Sequence, residues 1–144
     1  MSVKAPDGFE QRVRDSFAQQ KAMATIGARL LRIAPGAVDI ELPVRDDLTQ
    51  QDGFVHAGML AAVLDSACGY AAFTLMPAGA RVVSVEFKIN MLAPAVGERI
   101  VARARVKKAG RTLSVCDADG FALSAGGEKL VACMTGTMMC LMGA

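Results

Sequence analysis

Between Ala57 and Ala80 the chain carries a single charged side chain, Asp65, inside a run of small and apolar residues. A carboxylate in such a setting loses its hydration, and burying it unpaired is costly, so it protonates, finds donors or is kept for use. Asp65 is therefore the foremost functional candidate in the sequence. The structural alternative is a carboxylate hydrogen-bonded to a hydroxyl such as Ser66, or to a neighbouring chain. Nine residues earlier stands His56, the only histidine, followed by Ala57 and Gly58. A lone ring at a loop-to-helix junction can cap the helix, join the core or take part in chemistry. The first-turn N–H groups behind it lack internal partners and carry the positive end of the helix dipole. Small side chains at Ala57 and Gly58 leave those groups open to an oxygen, as an oxyanion hole requires, and close helix packing would explain the same two residues.

Geometry then constrains any joint action. On one helix His56 and Asp65 lie about 13 Å apart along the axis and about 180° apart around it. They cannot reach the same substrate atom. To act on one bond they must come from two copies of the helix, side by side and oppositely directed, as in a two-fold dimer.

The elements that must position these residues follow from periodicity. Apolar groups at Phe9, Val13, Phe17 and Ala24 predict an amphipathic helix over Phe9–Met23. Val38, Ile40 and Leu42 alternate with Asp39 and Glu41 after the Pro35-Gly36 turn signal, which predicts a hairpin between Thr25 and Pro43. Polar residues from Val44 to Val55 read as a loop. His56 to Met76 reads as a helix apolar on nearly every face, stopped by Pro77 and Gly79. Beyond it the period changes to two, with Val83, Val85, Phe87 and Ile89 predicted on one side of a strand and Ser84, Glu86, Lys88 and Asn90 on the other. Further strands are expected over Glu98–Lys107, Thr112–Asp117 and Lys129–Leu141, separated by turns at Ala109-Gly110 and Gly126-Gly127. The order predicts one α+β domain spanning residues 1–144, with a curled sheet wrapped around the long helix and its last four strands joined as an antiparallel meander.

Composition excludes several classes. The chain has 144 residues, 53% hydrophobic and 21% charged, so it folds around a real core. Its net charge is +2 with scattered basic residues, which argues against nucleic acid and is compatible with an anionic small molecule. The charged N-terminus lacks the apolar stretch of a signal peptide. Asp65, Gly69, Pro77 and Gly79 interrupt the longest apolar run, so no membrane span is expected. The four cysteines lack CxxC pairing, which disfavours zinc and suggests free thiols in the cytoplasm.

The segment Gly53-Phe-Val-His-Ala-Gly-Met-Leu-Ala-Ala-Val-Leu-Asp65, with Ser84-Val-Glu-Phe-Lys-Ile-Asn-Met-Leu-Ala-Pro94 after it, resembles the phenylacetate-pathway (PaaI-type) branch of the hotdog thioesterases. That family carries a loop Asn, then His-Gly-Gly, then an Asp nine residues after the His. The resemblance covers about Asp39 to Leu141 and implies the hotdog fold, hydrolysis of an acyl-CoA thioester, and assembly as a homodimer or homotetramer. It implies no metal or redox cofactor. Asp65 then corresponds to the catalytic carboxylate, as base on water or as nucleophile. Ala57 takes the place of the first glycine, whose N–H polarises the thioester carbonyl, and Gly58 keeps the second. His56 corresponds to a residue that positions substrate or loop, Gln50 stands near the usual Asn, and Ser84 lies near a hydroxyl that assists water. The CoA phosphates are expected near basic residues, with Arg81, Lys88, Arg103 and Arg111 as candidates. A non-catalytic acyl or aryl binding protein would use the same cleft, for which the nine methionines would suit an adaptable lining. A hotdog dehydratase fits the His-to-Asp spacing less well.

Overall fold

The computed structural model describes residues 3–143. Its chain order is α1 (Phe9–Gln19), α2 (Lys21–Ile26), β1 (Arg29–Ala34), β2 (Ala37–Pro43), α3 (Ala57–Phe73), β3 (Arg81–Met91), β4 (Arg99–Ala109), β5 (Leu113–Ser124) and β6 (Gly127–Leu141). The six strands form one antiparallel sheet in the order β1-β2-β4-β5-β6-β3. It packs around α3, the hotdog arrangement.

The expected meander holds for β4, β5 and β6 only. β3 does not pair with β4; it crosses to the far edge and pairs with β6, while β2 takes the place beside β4. The sheet is thereby split in sequence, so α3 is held from both halves.

α3 is apolar nearly all round because sheet meets it on several sides. Val63, Leu64, Ala67, Cys68 and Ala71 have no exposed surface, and each large aliphatic side chain buried in this way contributes about 1.5–3 kcal/mol. The sheet approaches closely at Gly120, where a Cβ would stand 3.1 Å from Leu64 Cδ1. At the other end Thr74 Oγ1 accepts from the Gly36 N–H at 2.8 Å and donates to the Ala71 carbonyl at 2.7 Å, fastening the β1–β2 turn to the helix.

Two further expectations are corrected. The N-terminal helix is broken at Gln20, whose backbone (φ −80°, ψ 93°) leaves the helical region. Its side chain is drawn to Tyr70 and Ser66 of α3, a tertiary demand that helical periodicity does not reveal. In β3 the register shifts between Ser84 and Glu86, so Val85 forms a bulge. Ser84 then pairs opposite buried Met138, Phe87 opposite Gly136 and Ile89 opposite buried Met134. Directly opposed residues share a face, so Ser84 lies on the same side as Phe87 and Ile89, not across from them.

Candidate active site in two clefts

The start of α3 is capped by His56. Its Nδ1 accepts the Gly58 N–H at 2.8 Å, and its carbonyl accepts from the Met59 and Leu60 N–H groups at 2.9 and 3.3 Å. Gly58 has to be small here, since a Cβ would stand 3.0 Å from that ring nitrogen. Of the two amides expected to be open, one is therefore occupied. The Ala57 N–H has no acceptor among the described residues, and it lies at the positive end of the helix dipole.

Ala57 lines a cleft of about 420 Å³ with Gln50, Phe54, Leu60, Met91 and Leu92. Gln50 Oε1 is committed to its own loop, accepting from the N–H groups of Asp52 and Phe54 at 2.5 and 3.2 Å. The Val55 N–H donates to the Ala95 carbonyl at 3.0 Å and the His56 N–H to the Leu48 carbonyl at 2.9 Å. The loop that delivers the helix start is thus held on both sides.

Asp65 sits mid-helix and half-buried, on the rim of a different cleft of about 540 Å³. Its Oδ1 accepts from Ser84 Oγ at 2.6 Å, and its second oxygen has no partner among the described residues. The bulge at Val85 is what brings Ser84 to the helix. Ser66, the hydroxyl that the sequence sets next to Asp65, donates instead to Gln20 Oε1 at 3.1 Å. Gln20 Nε2 donates to Tyr70 OH at 3.4 Å, and Tyr70 OH lies 3.2 Å from Ser16 Oγ. A polar network from α1, Gln20 and α3 therefore walls the Asp65 cleft. Arg12 braces that wall: its Nη1 donates to the Pro77 carbonyl at 2.7 Å, its Nη2 to the carbonyls of Phe73 and Met76 at 2.8 Å each, and its guanidinium stacks on Phe73 at 4.5 Å.

The two clefts share no lining residue. Within one chain, Asp65 and Ser84 meet in one of them, Gln50 and Ala57 in the other, and His56 serves as the cap. Periodicity and spacing do not mark Gln20 or Tyr70 for the site, and they show Gly69 only as a break in the apolar run. The signal available was that Ser66 and Tyr70 are, with Asp65, the polar side chains of α3. The buried thiols do not compete as nucleophiles: burial pushes Cys68 well up and Cys116 up to about 12. Of the basic candidates, Arg81 lines the Asp65 cleft, Lys88 donates to Asn90 Oδ1 at 3.0 Å, and Arg103 is engaged by Glu128 at 2.7 Å and Phe121 at 4.5 Å. Arg111 is exposed.

The sequence profile of the Thioesterase superfamily matches residues 52–127, more than half of the chain and the segment that carries Ala57, Asp65 and Ser84. The chain belongs to the thioesterase superfamily. A superfamily relative, human acyl-coenzyme A thioesterase 13, is 36% identical over 91 residues, 62% of this chain and 64% of that protein. The chain thus matches less than two thirds of the length of this relative. A crystal structure of a thioesterase family protein from Silicibacter pomeroyi superposes with a TM-score of 0.93 at 54% identity, covering 94% of this chain and all (100%) of that one. The PaaI protein of E. coli shares the fold, with a TM-score of 0.83 at 20% identity over 94% of this chain and 95% of its own.

Proposed function

We propose that the protein hydrolyses acyl-CoA thioesters at a site completed by two copies of the chain. The observation that carries this reading is the division of the site. α3 offers one open first-turn N–H, at Ala57, and one carboxylate, at Asp65, and each opens into its own cleft. Two helices laid side by side in opposite directions bring the Ala57 end of one copy to the Asp65 of the other.

In that arrangement the thioester carbonyl oxygen accepts the Ala57 N–H, which stabilises the negative charge that develops as the carbonyl carbon becomes tetrahedral. Asp65 of the other copy takes a proton from water while the water oxygen bonds to that carbon. Collapse breaks the C–S bond, and the proton passes to the departing thiolate. Ser84 holds one carboxylate oxygen and leaves the other for the proton. As the alternative route, the same free oxygen attacks the carbonyl carbon and the C–S bond breaks to release CoA thiolate, giving an acyl-aspartyl anhydride that water then opens to the free acid, its released proton going to the thiolate.

The least assembly that satisfies this chemistry is a two-fold dimer, and the family resemblance extends it to a pair of dimers. β3 supports the first step. It is an edge strand whose Val83, Val85 and Phe87 are 43%, 51% and 41% exposed, a combination that single chains avoid leaving in water. Among the described residues no helix is long and apolar enough to cross a membrane, and the four thiols are free, which suits the reducing cytoplasm.

Asp65→Asn tests the reading. Turnover of a responsive acyl-CoA should fall by about a thousandfold or more with affinity retained. Undiminished turnover would remove Asp65 from the chemistry, and a wild-type chain that binds acyl-CoA without cleaving it would favour a binding protein.

A further inference from the structure

Gly69 lies four residues beyond Asp65 in α3, about 40° round the axis and so on nearly the same face, and both line the larger cleft. Glycine is the poorest helix former after proline, so a mid-helix glycine calls for a reason. Neither of the common ones applies. Its φ is not positive, and a Cβ built there meets no atom within 4 Å. Gly58 and Gly120 are different, since a Cβ would crowd His56 at 3.0 Å and Leu64 at 3.1 Å respectively. Within one chain nothing crowds position 69, and the missing side chain enlarges the open volume beside Asp65.

The far wall of that volume is polar. Tyr70 and Ser66 are buried and joined through Gln20, with Ser16 at the end of the chain of hydrogen bonds. Tyr70 stands five residues past Asp65, about 7.5 Å along the axis and about 140° round it, and lines the same cleft, so a chain of about six carbons spans the axial separation. These groups are partnered with one another, and a hydroxyl placed beside them can share their hydrogen bonds, which a plain hydrocarbon end cannot do.

We propose that Gly69 is a specificity-determining residue: its missing side chain admits an acyl chain of medium length beside Asp65, and the Tyr70–Gln20–Ser66 network receives a hydrogen-bonding substituent at the distal end. This rests on the reading of the cleft as the acyl site of a thioesterase.

The test uses non-hydrolysable thioether analogues of acetyl-CoA, hexanoyl-CoA and 6-hydroxyhexanoyl-CoA, with affinities measured by calorimetry on the full chain. Wild type should bind the hydroxylated analogue tightest and the acetyl analogue weakest. Gly69→Leu should lower the hexanoyl-to-acetyl affinity ratio by about tenfold or more, and Gln20→Leu should abolish the preference for the hydroxyl. Gly69→Ala should melt at or above wild type, because the helix gains from the methyl. The inference is overturned if wild type ranks the three analogues alike, if Gly69→Leu leaves the ratio within about twofold, or if Gly69→Ala melts lower. Hydrolysis of the matching thioesters, assayed in parallel, separates the two ideas. The expected ranking without cleavage removes the hydrolase reading and keeps Gly69, and cleavage without the ranking does the reverse.

Discussion

Ala57 occupies the first helical position of α3, where proline is well tolerated because its missing N–H would have no helical partner. The preceding His56 already has the extended backbone (φ −60°, ψ 137°) that a following proline demands. Ala57→Pro should therefore delete the one open donor while leaving the helix in place. Its kcat should drop by about 10²–10³, the usual loss for one oxyanion donor, with a melting temperature close to wild type. An unchanged kcat would show that the carbonyl oxygen is stabilised elsewhere. At this scale much was legible in the sequence. Asp65 stood out as the sole charge of an apolar run, and the open helix start followed from Ala57 and Gly58. That His56 would close the Gly58 amide was not legible, since it depends on the ring's rotamer. The partnership of Asp65 with Ser84 was hidden for another reason: it requires a residue nineteen positions away to be turned inward by a bulge.

The elements tell a related story. β3 was recognisable as a strand from its alternation, yet neither its bulge nor its partner could be read, because both are settled by β6, some fifty residues downstream. The crossing of β3 to the far edge is likewise a choice between distant partners, which local periodicity does not report. β5 runs on to Ser124, past the expected end at Asp117; Gly120 disguised the extension, and its purpose is the close approach of Leu64. The apolar edge of β3 carries a prediction of its own. Val85→Lys should shift the protein toward monomer in light scattering, because a lysine on an exposed edge opposes strand-to-strand association. Activity per chain should fall in step with the dimer fraction. A fully active monomer would sink the shared site.

For the whole molecule, the helical geometry already kept the start of α3 from meeting Asp65 within one chain, and the structure gives that separation a shape in two clefts, one lined by Ala57 and the other by Asp65. Complementation follows. Asp65→Asn and Ala57→Pro chains, each nearly inactive alone, should on unfolding and refolding together recover up to about a quarter of wild-type turnover, since half the dimers are mixed and each mixed dimer holds one intact site. Recovery no greater than the sum of the two separate variants would mean that each chain works alone. The wall of the Asp65 cleft has one more consequence. Gln20, Ser16 and Arg12 lie outside residues 52–127, the stretch shared across the superfamily, whereas Asp65, Ala57 and Ser84 lie within it. On the proposed reading, guest selection draws on two stretches of the polypeptide: Gly69, Ser66 and Tyr70 share α3 with Asp65, while Gln20, Ser16 and Arg12 come from outside residues 52–127. An engineer grafting residues 9–26 from a cousin would, if that reading holds, retune the outer part of the guest's wall and leave the proposed cutting residues in place.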